Sequence, residues 1–465
     1  MRQAELMNLE KRVKIQREYF RSGITLDISF RTRQLKILEE AIRAREDRIM
    51  EALEKDLAKP RFESYSAEIG ILYPEIREAL RKTATWARPR RVGTPMLHFF
   101  ATSVVYHQPY GLALIISPWN YPFQLAMAPL VGAIAAGNCA ILKPSELAPE
   151  TSKEIALLAG DAFDPSFITV VEGGVPETRA LLDEKFDYIF FTGGTAVGRI
   201  IMESAARQLI PVTLELGGKS PAVVCRDAKM DCGARRIAWG KYYNAGQTCL
   251  APDYVLVHRD VKEKLIDGLR RAIVSFYGND PEESPDYGRI INQRHFSRLT
   301  DLMKSGRIVH GGRANQTTRY IAPTIIDGVS LTDPIMEEEI FGPLLPLLPY
   351  GDLDEALDIV NALPRPLALY VFTESRTVEK RVLAETSSGG GCVNDTLSHV
   401  GSTTLPFGGI GDSGMGSYHG KAGFDTFTHR RSVLKRSTLF DIPLRYPPYA
   451  ERKLRLVRRL FKPVG

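Results

Sequence analysis

The feature that most constrains the fold is a regular alternation of apolar runs and helix-length segments between Gly111 and Glu215. The apolar runs lie at 112–116, 139–142, 167–171, 188–191 and 212–214. Strands that alternate with helices imply right-handed crossover connections. We therefore predict a parallel sheet with helices on both of its faces.

A second α/β series follows this region. It predicts strands at 222–225, 254–258, 344–349 and 368–372, helices at 232–243, 261–277, 353–360 and 378–384, and a polar middle without assigned elements. The first ninety residues have helical patterns at 35–53 and 65–86, and 99–108 is expected to be a strand in a protruding hairpin. Two α/β domains are the expectation.

The composition limits the class of protein. With 465 residues, 44% hydrophobic and 25% charged, the chain is long enough for two or three globular domains. Much of the net charge of +6 lies in the last 14 residues, so the body of the chain has no charge signature for nucleic acid. Five scattered cysteines indicate a reducing compartment, and the N-terminus predicts no signal peptide, hence a cytoplasmic location. Eight histidines without ligand spacing predict no metal site.

Residues 107–142 contain no Asp, Glu, Lys or Arg, a length that could span a bilayer. Proline, glycine and asparagine residues interrupt the stretch. Strands covered on both faces are nearly continuous in apolar residues. We therefore interpret the stretch as a buried strand, loop, helix and strand of a soluble protein.

Cys249 is the candidate nucleophile. It ends the segment Asn-Ala-Gly-Gln-Thr-Cys at 244–249, and the carboxylate of Glu215 lies in Leu-Glu-Leu-Gly-Gly-Lys at 214–219. Glycine lets a substrate approach the backbone closely, and a thiol with a carboxylate can form a thioester and then hydrolyse it. A cysteine near glycine is common by itself, so the significance of Cys249 depends on the surrounding motifs.

Four other cysteines compete for this role. Cys139 and Cys225 lie in apolar strands, where a free thiol usually behaves as an inert hydrophobic group. Cys232 begins a predicted helix, whose N-terminus can lower a thiol pKa, so it is the nearest rival. Cys392 follows three glycines and is expected to form a wall of the site.

A phosphate-binding turn is predicted at 191–198, Phe-Thr-Gly-Gly-Thr-Ala-Val-Gly, where an apolar strand leads into a helix. Glycines there bring the positive end of a helix against a phosphate. The spacing from Gly193 to Gly198 differs from the Gly-x-Gly-x-x-Gly fingerprint, and the Lys-Ser/Thr of ATP-binding loops is missing. A plain strand-to-helix turn is the alternative.

Lys143 and Glu146 follow another predicted strand of the same sheet. Ligands of open parallel sheets bind beyond the carboxyl ends of the strands. The two side chains are therefore predicted to bind ribose hydroxyls, and the alternative is a solvated pair in a loop.

Asn120 stands in the stiff segment Pro-Trp-Asn-Tyr-Pro at 118–122. Its amide is predicted to hydrogen-bond a developing oxyanion together with the N–H of Cys249. The alternative is that Asn120 caps a helix beginning near Pro122.

Taken together, seven motifs resemble those of NAD(P)-dependent aldehyde dehydrogenases. In chain order they are Pro-Trp-Asn-Tyr-Pro, Leu-Lys-Pro-Ser-Glu, Phe-Thr-Gly-Gly-Thr-x-x-Gly, Leu-Glu-Leu-Gly-Gly-Lys-Ser-Pro, Gly-Gln-Thr-Cys, Glu-Ile-Phe-Gly-Pro at 339–343 and Leu-Pro-Phe-Gly-Gly at 405–409. The resemblance covers nearly the whole chain. The short N-terminal region and residues 411–431 are similar to the class 3 branch, which includes fatty, aromatic and coniferyl-type aldehyde dehydrogenases.

The resemblance implies a role for each matched residue. Cys249 matches the nucleophile, Glu215 the general base that activates the deacylating water, and Asn120 the oxyanion amide. The residues that match cofactor contacts are Gly193, Gly194, Thr195 and Gly198 at the pyrophosphate, Lys143 and Glu146 at the adenosine ribose, and Glu339 with Phe341 at the nicotinamide ribose.

The resemblance also implies the reaction. The cofactor is NAD or NADP, and an aldehyde is oxidised to the carboxylic acid through a thiohemiacetal and a thioester on Cys249. Glu146 beside a ribose disfavours a 2′-phosphate, although class 3 enzymes often accept both dinucleotides. Tyr121, Phe407 and His419 are expected to line an aromatic tunnel for medium-chain, fatty or aromatic aldehydes.

Two other functions stay open at this stage. An acylating or semialdehyde-phosphate reductase could use the same scaffold, but an acylating enzyme would not need a carboxylate base, so Glu215 favours hydrolysis. A dehydrogenase that has lost activity could serve as a structural or binding protein. The joint presence of thiol, base, amide and glycine turn argues against it.

The family fold implies three parts. They are a five-stranded Rossmann-type cofactor domain at 1–90 and 109–216, an α/β catalytic domain at 217–424, and a β-hairpin arm at 91–108 and 425–445 that pairs across a homodimer. Residues 446–465 form a basic tail with apolar residues at helical spacing. Such a helix can lie on an anionic membrane surface, and the alternative is a solvated or substrate-gating helix.

Overall fold

The computed structural model describes residues 3–439 and 441–461. The strands, in chain order, are β1 (Arg90–Val92), β2 (Ala101–Pro109), β3 (Leu112–Ile116), β4 (Cys139–Lys143), β5 (Ile168–Val170), β6 (Tyr188–Thr192), β7 (Val212–Glu215), β8 (Pro221–Val224), β9 (Tyr254–His258), β10 (Arg307–His310), β11 (Ala314–Asn315), β12 (Tyr320–Ile321), β13 (Thr324–Asp327), β14 (Leu344–Tyr350), β15 (Ala368–Phe372), β16 (Gly390–Val393), β17 (Gly414–Met415) and β18 (Thr428–Arg436).

Helices connect and cover these strands. The α-helices, in chain order, are α1 (Gln3–Arg21), α2 (Ile28–Ala44), α3 (Glu46–Leu57), α4 (Arg61–Ser64), α5 (Leu72–Trp86), α6 (Gln124–Ala136), α7 (Pro149–Ala162), α8 (Val175–Asp183), α9 (Thr195–Gln208), α10 (Met230–Tyr242), α11 (Lys262–Tyr277), α12 (Gln293–Leu302), α13 (Pro334–Glu337), α14 (Leu353–Ala362), α15 (Arg376–Glu385), α16 (Gly420–Thr426) and α17 (Glu451–Leu460).

The first sheet is built from the five predicted apolar runs. Its order is β17-β7-β6-β3-β4-β5, and the five strands from β7 to β5 are parallel. The prediction of a parallel sheet is therefore confirmed. The family resemblance implied five strands, and the sixth, β17, is a two-residue antiparallel addition at the edge. Strands β3, β4 and β6 are buried along their whole length because helices cover both faces.

The second sheet has the order β10-β13-β14-β9-β8-β15-β16. The predicted strands at 254–258 and 368–372 are confirmed as β9 and β15. The polar middle, to which no element was assigned, contains α12, β10 and β13. Strand β10 escaped prediction because it is a partly exposed edge strand without an apolar run, and β13 because only Ile325 and Ile326 of its four residues are apolar.

The third sheet has the order β1-β2-β18. The strand expected at 99–108 begins at Ala101 and pairs with β18 over nine residues, from Thr428↔Pro109 to Arg436↔Ala101. Its other neighbour, β1, pairs over three residues. The expected hairpin is thus part of a three-stranded sheet whose third strand comes from the far end of the chain.

The N-terminal helical patterns divide more finely than predicted. The pattern at 35–53 spans α2 and α3, which meet at Arg45, and the pattern at 65–86 contains a π-helical turn at Tyr65–Ile69 before α5. The uncharged stretch after residue 107 forms the end of β2, then β3, α6 and β4. Among the described residues, no helix combines the length and apolar character needed to cross a membrane.

Candidate active site

The polar residues singled out in the sequence lie at the carboxyl edge of the first sheet. Ile116 pairs with both Lys143 and Phe191, and Thr192 pairs with Glu215, so four parallel strands end at the same level. The chain continues from these ends into the Asn120 segment, the glycine turn at 193–194 and the Lys143 loop. The sheet therefore brings these sequence-distant groups to one edge.

The segment before Cys249 has an unusual backbone. Asn244 and Ala245 have φ values of 52° each, and Gly246 has φ 74°, so three consecutive residues are left-handed. Such a conformation costs roughly 1–2 kcal/mol for a residue with a side chain. Gly246 is required there for a second reason, since a Cβ would overlap the carbonyl of Gly342. Strain of this kind is typical of functional loops held by their surroundings.

Two side chains hold the strained turn, that of Glu63 in α4 and that of Gln247 within the segment. The Asn244 N–H donates to Glu63 Oε2 at 2.9 Å. Gln247 Nε2 donates to the carbonyls of Asn244 at 3.1 Å and Arg289 at 3.0 Å, while Gln247 Oε1 accepts from Ile291 N at 3.0 Å. Sequence reasoning assigned no role to Glu63 or Gln247. The only signal in the sequence was that Gln247, a polar residue, stands two positions before Cys249. The structure shows that Gln247 is buried.

Cys249 is half-buried and lies in a turn that follows this segment. Burial raises the pKa of its thiol, and the nearby charges of Glu339 and Glu215 raise the pKa further. The group is therefore a thiol at neutral pH, and its conversion to a nucleophile needs a proton acceptor.

Glu215 ends β7 and is 2% exposed. Neither of its carboxylate oxygens has a hydrogen-bond partner in the described part of the chain. Burial raises its pKa well above the usual value. A Cβ placed on Gly408 would lie 3.1 Å from Glu215 Oε1, so the Leu-Pro-Phe-Gly-Gly motif borders this carboxylate. A buried, unpaired acid with a raised pKa is suited to accept protons in catalysis.

Asn120 is buried and faces the thiol segment. Its side-chain amide donates to the carbonyl of Gln247 at 3.0 Å. The capping alternative does not hold, because α6 begins at Gln124 and its first N–H groups donate to Glu68 Oε2. The neighbouring Tyr121 hydroxyl lies 2.6 Å from Thr248 Oγ1, which places Tyr121 against the same segment.

Glu339 approaches the site from the second sheet. Its carboxylate lies so close to Gly217 that a Cβ at that position would overlap it. Burial raises the pKa of Glu339 to about 8, and the charge of Asp253 contributes. Phe341 has a positive φ of 50° and packs edge-on against Trp119, with ring centres 5.3 Å apart.

A buried ion pair holds the Glu339 loop. Lys219 Nζ donates to Asp253 Oδ2 at 2.6 Å and to the Glu338 carbonyl at 3.0 Å. Asp253 Oδ1 accepts from Ile340 N at 2.9 Å, so the pair fixes both neighbours of Glu339. The sequence motif contained Lys219, but its partner Asp253 could not be identified without the fold.

The glycine turn at 193–194 leads into α9 with no side-chain hydrogen bond to the helix N-terminus. A Cβ placed on Gly194 would meet no atom within 4 Å, so its outer side is open. Gly198 packs against Leu216, and the Thr195 hydroxyl donates to the Asp412 carbonyl at 3.2 Å. The N–H groups at the N-terminus of α9 can therefore donate hydrogen bonds to an anion.

Lys143 and Glu146 differ in exposure. Lys143 is buried and donates to the Pro144 carbonyl at 2.7 Å, and burial lowers its pKa. Glu146 is exposed and lies next to Gly174, just before α8. The solvated-pair alternative therefore does not hold for Lys143, because its ammonium is buried.

Phe407 and His419 are buried and belong to one aromatic cluster. Phe407 forms a two-way backbone bridge with Tyr418, whose ring stacks on His419 at 4.1 Å between centres. Phe407 and His419 have ring centres 5.8 Å apart. The charge of Glu215 contributes to raising the pKa of Tyr418, which places the cluster near the buried acid.

The other cysteines lie in different surroundings. Cys232 is exposed in the first turn of α10, and burial raises the pKa of Cys139 to about 12. Cys392 is half-buried, and its Sγ lies 3.3 Å from His399 Nδ1. Within the described residues, no group of His, Cys, Asp and Glu is arranged to hold a metal ion.

Comparison with known proteins gives one consistent result. The sequence profile described as "Aldehyde dehydrogenase family" matches residues 1–433. The chain is 47% identical to 4,4'-diaponeurosporen-aldehyde dehydrogenase of Staphylococcus aureus over 98% of this chain and 99% of the relative. It is 47% identical to human aldehyde dehydrogenase family 3 member B1 over 95% of each chain.

Solved structures agree with these relatives. The substrate-bound state of Staphylococcus aureus AldH has a TM-score of 0.95 at 47% identity, covering 97% of this chain and 99% of that chain. An indole-3-acetaldehyde dehydrogenase complexed with NAD+ has a TM-score of 0.85 at 27% identity, covering 93% of this chain and 89% of that chain.

Proposed function

Because the chain belongs to the aldehyde dehydrogenase family, as a class 3-like enzyme that uses NAD or NADP, we propose that it oxidises its aldehyde through a thioester on Cys249. The observation that carries this proposal is that the half-buried thiol of Cys249 lies near the buried carboxylate of Glu215, which has no hydrogen-bond partner in the described residues. Asn120 completes the set because its amide lies against the thiol segment.

The protein groups divide the chemistry between them. Glu215 accepts the proton of the Cys249 thiol and passes it to solvent as sulfur bonds to the carbonyl carbon, and Asn120 with the Cys249 N–H holds the oxygen that becomes negative. A bound NAD or NADP would supply the acceptor for the hydride of that carbon. Glu215 then takes a proton from water, which attacks the thioester and releases the carboxylic acid with the thiol restored. The overall reaction consumes one water and one oxidised dinucleotide for each aldehyde.

The residues present fit a dinucleotide. The uncapped N-terminus of α9 and the open side of Gly194 suit a pyrophosphate. We propose that Thr195 and Gly198 complete this turn, that Lys143 and Glu146 bind the adenosine ribose, and that Glu339 with Phe341 hold the nicotinamide ribose. Glu146 favours NAD over NADP because its carboxylate would repel a 2′-phosphate.

Replacement of the thiol tests the mechanism. We expect Cys249→Ala to abolish aldehyde-dependent formation of NADH or NADPH, measured by absorbance. Cys232→Ala is the matched control, since it removes an exposed thiol and should keep full activity. Undiminished turnover by Cys249→Ala would exclude the nucleophile. Acid formation only with coenzyme A or phosphate would favour an acylating or phosphate-dependent enzyme, and a folded wild type that turns over no aldehyde would favour a binding protein.

We propose a medium-chain, long-chain or aromatic aldehyde as substrate. The aromatic cluster of Phe407 and His419, with Tyr121 beside the thiol segment, supplies apolar walls. The Staphylococcus aureus relative is named for 4,4'-diaponeurosporen-aldehyde as its substrate. We expect kcat/KM to rise up to about fourfold per added methylene from acetaldehyde upward, the value for full burial of that group. A kcat/KM independent of chain length would contradict this substrate class.

We propose that the first, second and third sheets described above correspond to a cofactor domain at 1–90 and 109–216, a catalytic domain at 217–424, and an arm at 91–108 and 425–445. Strand β17 lies within the proposed catalytic domain by sequence, but it pairs with β7 of the first sheet. Strand β18 forms an edge of the arm, and its outer side has no strand partner in the described residues. Long unpaired edges favour pairing with another chain, so we propose a homodimer. A monomer in sedimentation velocity at micromolar concentration would contradict it.

We propose that α17 contacts an anionic membrane surface, which would make a cytoplasmic enzyme peripheral. Leu454, Leu456 and Phe461 are exposed apolar residues, and four arginines at 452, 455, 458 and 459 are exposed as well. Helices of this composition bind at interfaces. Co-sedimentation with phosphatidylglycerol vesicles should fall when the residues after Ala450 are deleted, and unchanged binding would refute the contact.

A further inference from the structure

We propose that the buried ion pair of Lys59 and Glu68 is a positioning device for the oxyanion amide, and this inference rests on the proposed role of Asn120. Neither residue belongs to the motifs found in the sequence. Lys59 follows α3, and Glu68 lies in the π-helical turn Tyr65–Ile69. Irregular turns of this type often occur at functional sites.

Both side chains are completely buried, with 0% exposure, and their charged groups are in direct contact. Removing two charges from water costs several kcal/mol for each ion, and well-packed apolar residues often stabilise a core as well or better. Stability alone therefore gives no reason to place this pair in the interior. What the pair contacts gives a more specific reason.

The Lys59–Glu68 pair contacts the segment that carries Asn120 at several points. Lys59 Nζ donates to the Asn120 backbone carbonyl at 2.8 Å and lies 4.1 Å from the centre of the Tyr121 ring. Glu68 Oε2 accepts from Phe123 N at 3.1 Å and from Gln124 N at 3.0 Å. The segment between β3 and α6 is thus anchored from one side by two opposite charges.

The thiol segment anchors Asn120 from the other side. Asn244 Nδ2 donates to the same Asn120 carbonyl at 2.9 Å and to the Gln247 carbonyl at 3.1 Å. The Asn120 side chain in turn donates to the Gln247 carbonyl. One backbone oxygen of Asn120 therefore receives hydrogen bonds from Lys59 and from Asn244, and these two bonds set the distance between the amide and the sulfur.

A shift of this segment should affect chemistry more than binding. An oxyanion donor acts at 2.7–3.1 Å from the developing charge, and a misplacement of about 1 Å can reduce a rate by about 10²-fold. The dinucleotide residues proposed above lie on other loops. Loss of the pair should therefore slow the burst of reduced dinucleotide without weakening dinucleotide binding.

The test is the variant Lys59→Met/Glu68→Gln, which removes both charges and keeps an acceptor for the two N–H groups of α6. We expect a folded protein whose burst rate falls about 10- to 100-fold, with an unchanged dinucleotide Kd by fluorescence titration. Lys262→Met/Asp327→Asn is the matched control, because it removes a largely buried ion pair of 3.0 Å between α11 and strand β13 of the second sheet. Its burst rate should equal that of the wild type.

Asn120→Ala separates this inference from the proposed function. If Asn120→Ala leaves the burst rate unchanged, the oxyanion role fails. If Asn120→Ala slows the burst and Lys59→Met/Glu68→Gln stays within twofold of the wild type, the positioning role fails. In the Asn120→Ala background the pair should have no further effect. Should the double variant not fold, Glu68→Gln alone decides, and an unchanged burst rate in that folded variant would overturn the proposal.

Discussion

Glu215 and Asp253 are buried to nearly the same degree, with exposures of 2% and 3%, yet their surroundings differ completely. Asp253 has a partner for each oxygen, Lys219 on one and the Ile340 N–H on the other. Glu215 has a partner for neither oxygen in the described residues. An ionised carboxylate without partners is costly to bury, whereas a paired one is tolerated.

The comparison shows that burial alone does not identify a reactive acid. The partners of Asp253 fix its position, so it serves to hold the Glu339 loop. Burial raises the pKa of Glu215, and the lack of partners in the described residues leaves its oxygens available to a proton. Structural and reactive carboxylates can therefore be distinguished by their hydrogen bonds, and three measurements would test this distinction.

The largest expected effect is on turnover in Glu215→Gln. We expect kcat to fall about 10²- to 10⁴-fold because water loses its base, while the burst of reduced dinucleotide persists if acylation can use another proton acceptor. Intact-protein mass spectrometry should then find acyl groups accumulating on Cys249. Asp253→Asn is the comparison, and it should accumulate no acyl-enzyme. A steady-state rate like the wild type's in Glu215→Gln would remove Glu215 from the mechanism.

The next effect is on stability in Asp253→Asn. We expect the free energy of unfolding, from urea titration, to fall by about 3 kcal/mol because Lys219 loses its buried counter-charge. The dinucleotide KM should also rise, since the Glu339 loop loses its anchor. Glu215→Gln should be no less stable than the wild type at neutral pH. Equal destabilisation by both substitutions would show that the two acids play the same structural role.

The smallest effect is on the pH dependence of stability. Burial raises the pKa of Glu215, so between its unfolded value of about 4.3 and its raised folded value the native state binds more protons than the unfolded state. The stability of the wild type should therefore fall as pH rises through this window, by up to about 1.4 kcal/mol per pH unit. Glu215→Gln lacks this loss, so its advantage in unfolding free energy should grow as pH rises above the unfolded value of about 4.3. Parallel curves for the two proteins would contradict the raised pKa.

The fold could largely be predicted because most of its central strands are continuous apolar runs in the sequence. The runs at 112–116, 254–258 and 368–372 coincide with β3, β9 and β15. Strands buried on both faces must be apolar along their whole length, and this gives a clear signal. The edge strand β10 carries no such pattern, and it was missed.

Within the candidate site, the sequence predicted the groups that we propose to react with the substrate or to bind the oxyanion. Cys249, Glu215 and Asn120 stand in recognisable motifs, whereas Lys59, Glu68 and Asp253 resemble ordinary surface charges when read in sequence. Lys and Glu are normally exposed, so nothing local distinguishes a completely buried pair. Lys59 and Glu68 are nine residues apart, but the Asn120 carbonyl lies 61 residues from Lys59, and Lys219 lies 34 residues from Asp253. The sequence therefore does not show these contacts.

By itself, the sequence determined the parallel sheet and the family, and it predicted which thiol and which carboxylate we propose for the reaction, because apolar periodicity and short motifs are local properties. Only the tertiary structure decided which buried carboxylate is paired and which is not. It also decided that the first N–H groups of α6 donate to Glu68 rather than to Asn120. Hydrogen bonds between distant segments depend on three-dimensional proximity, and that proximity exists only once both sheets are packed.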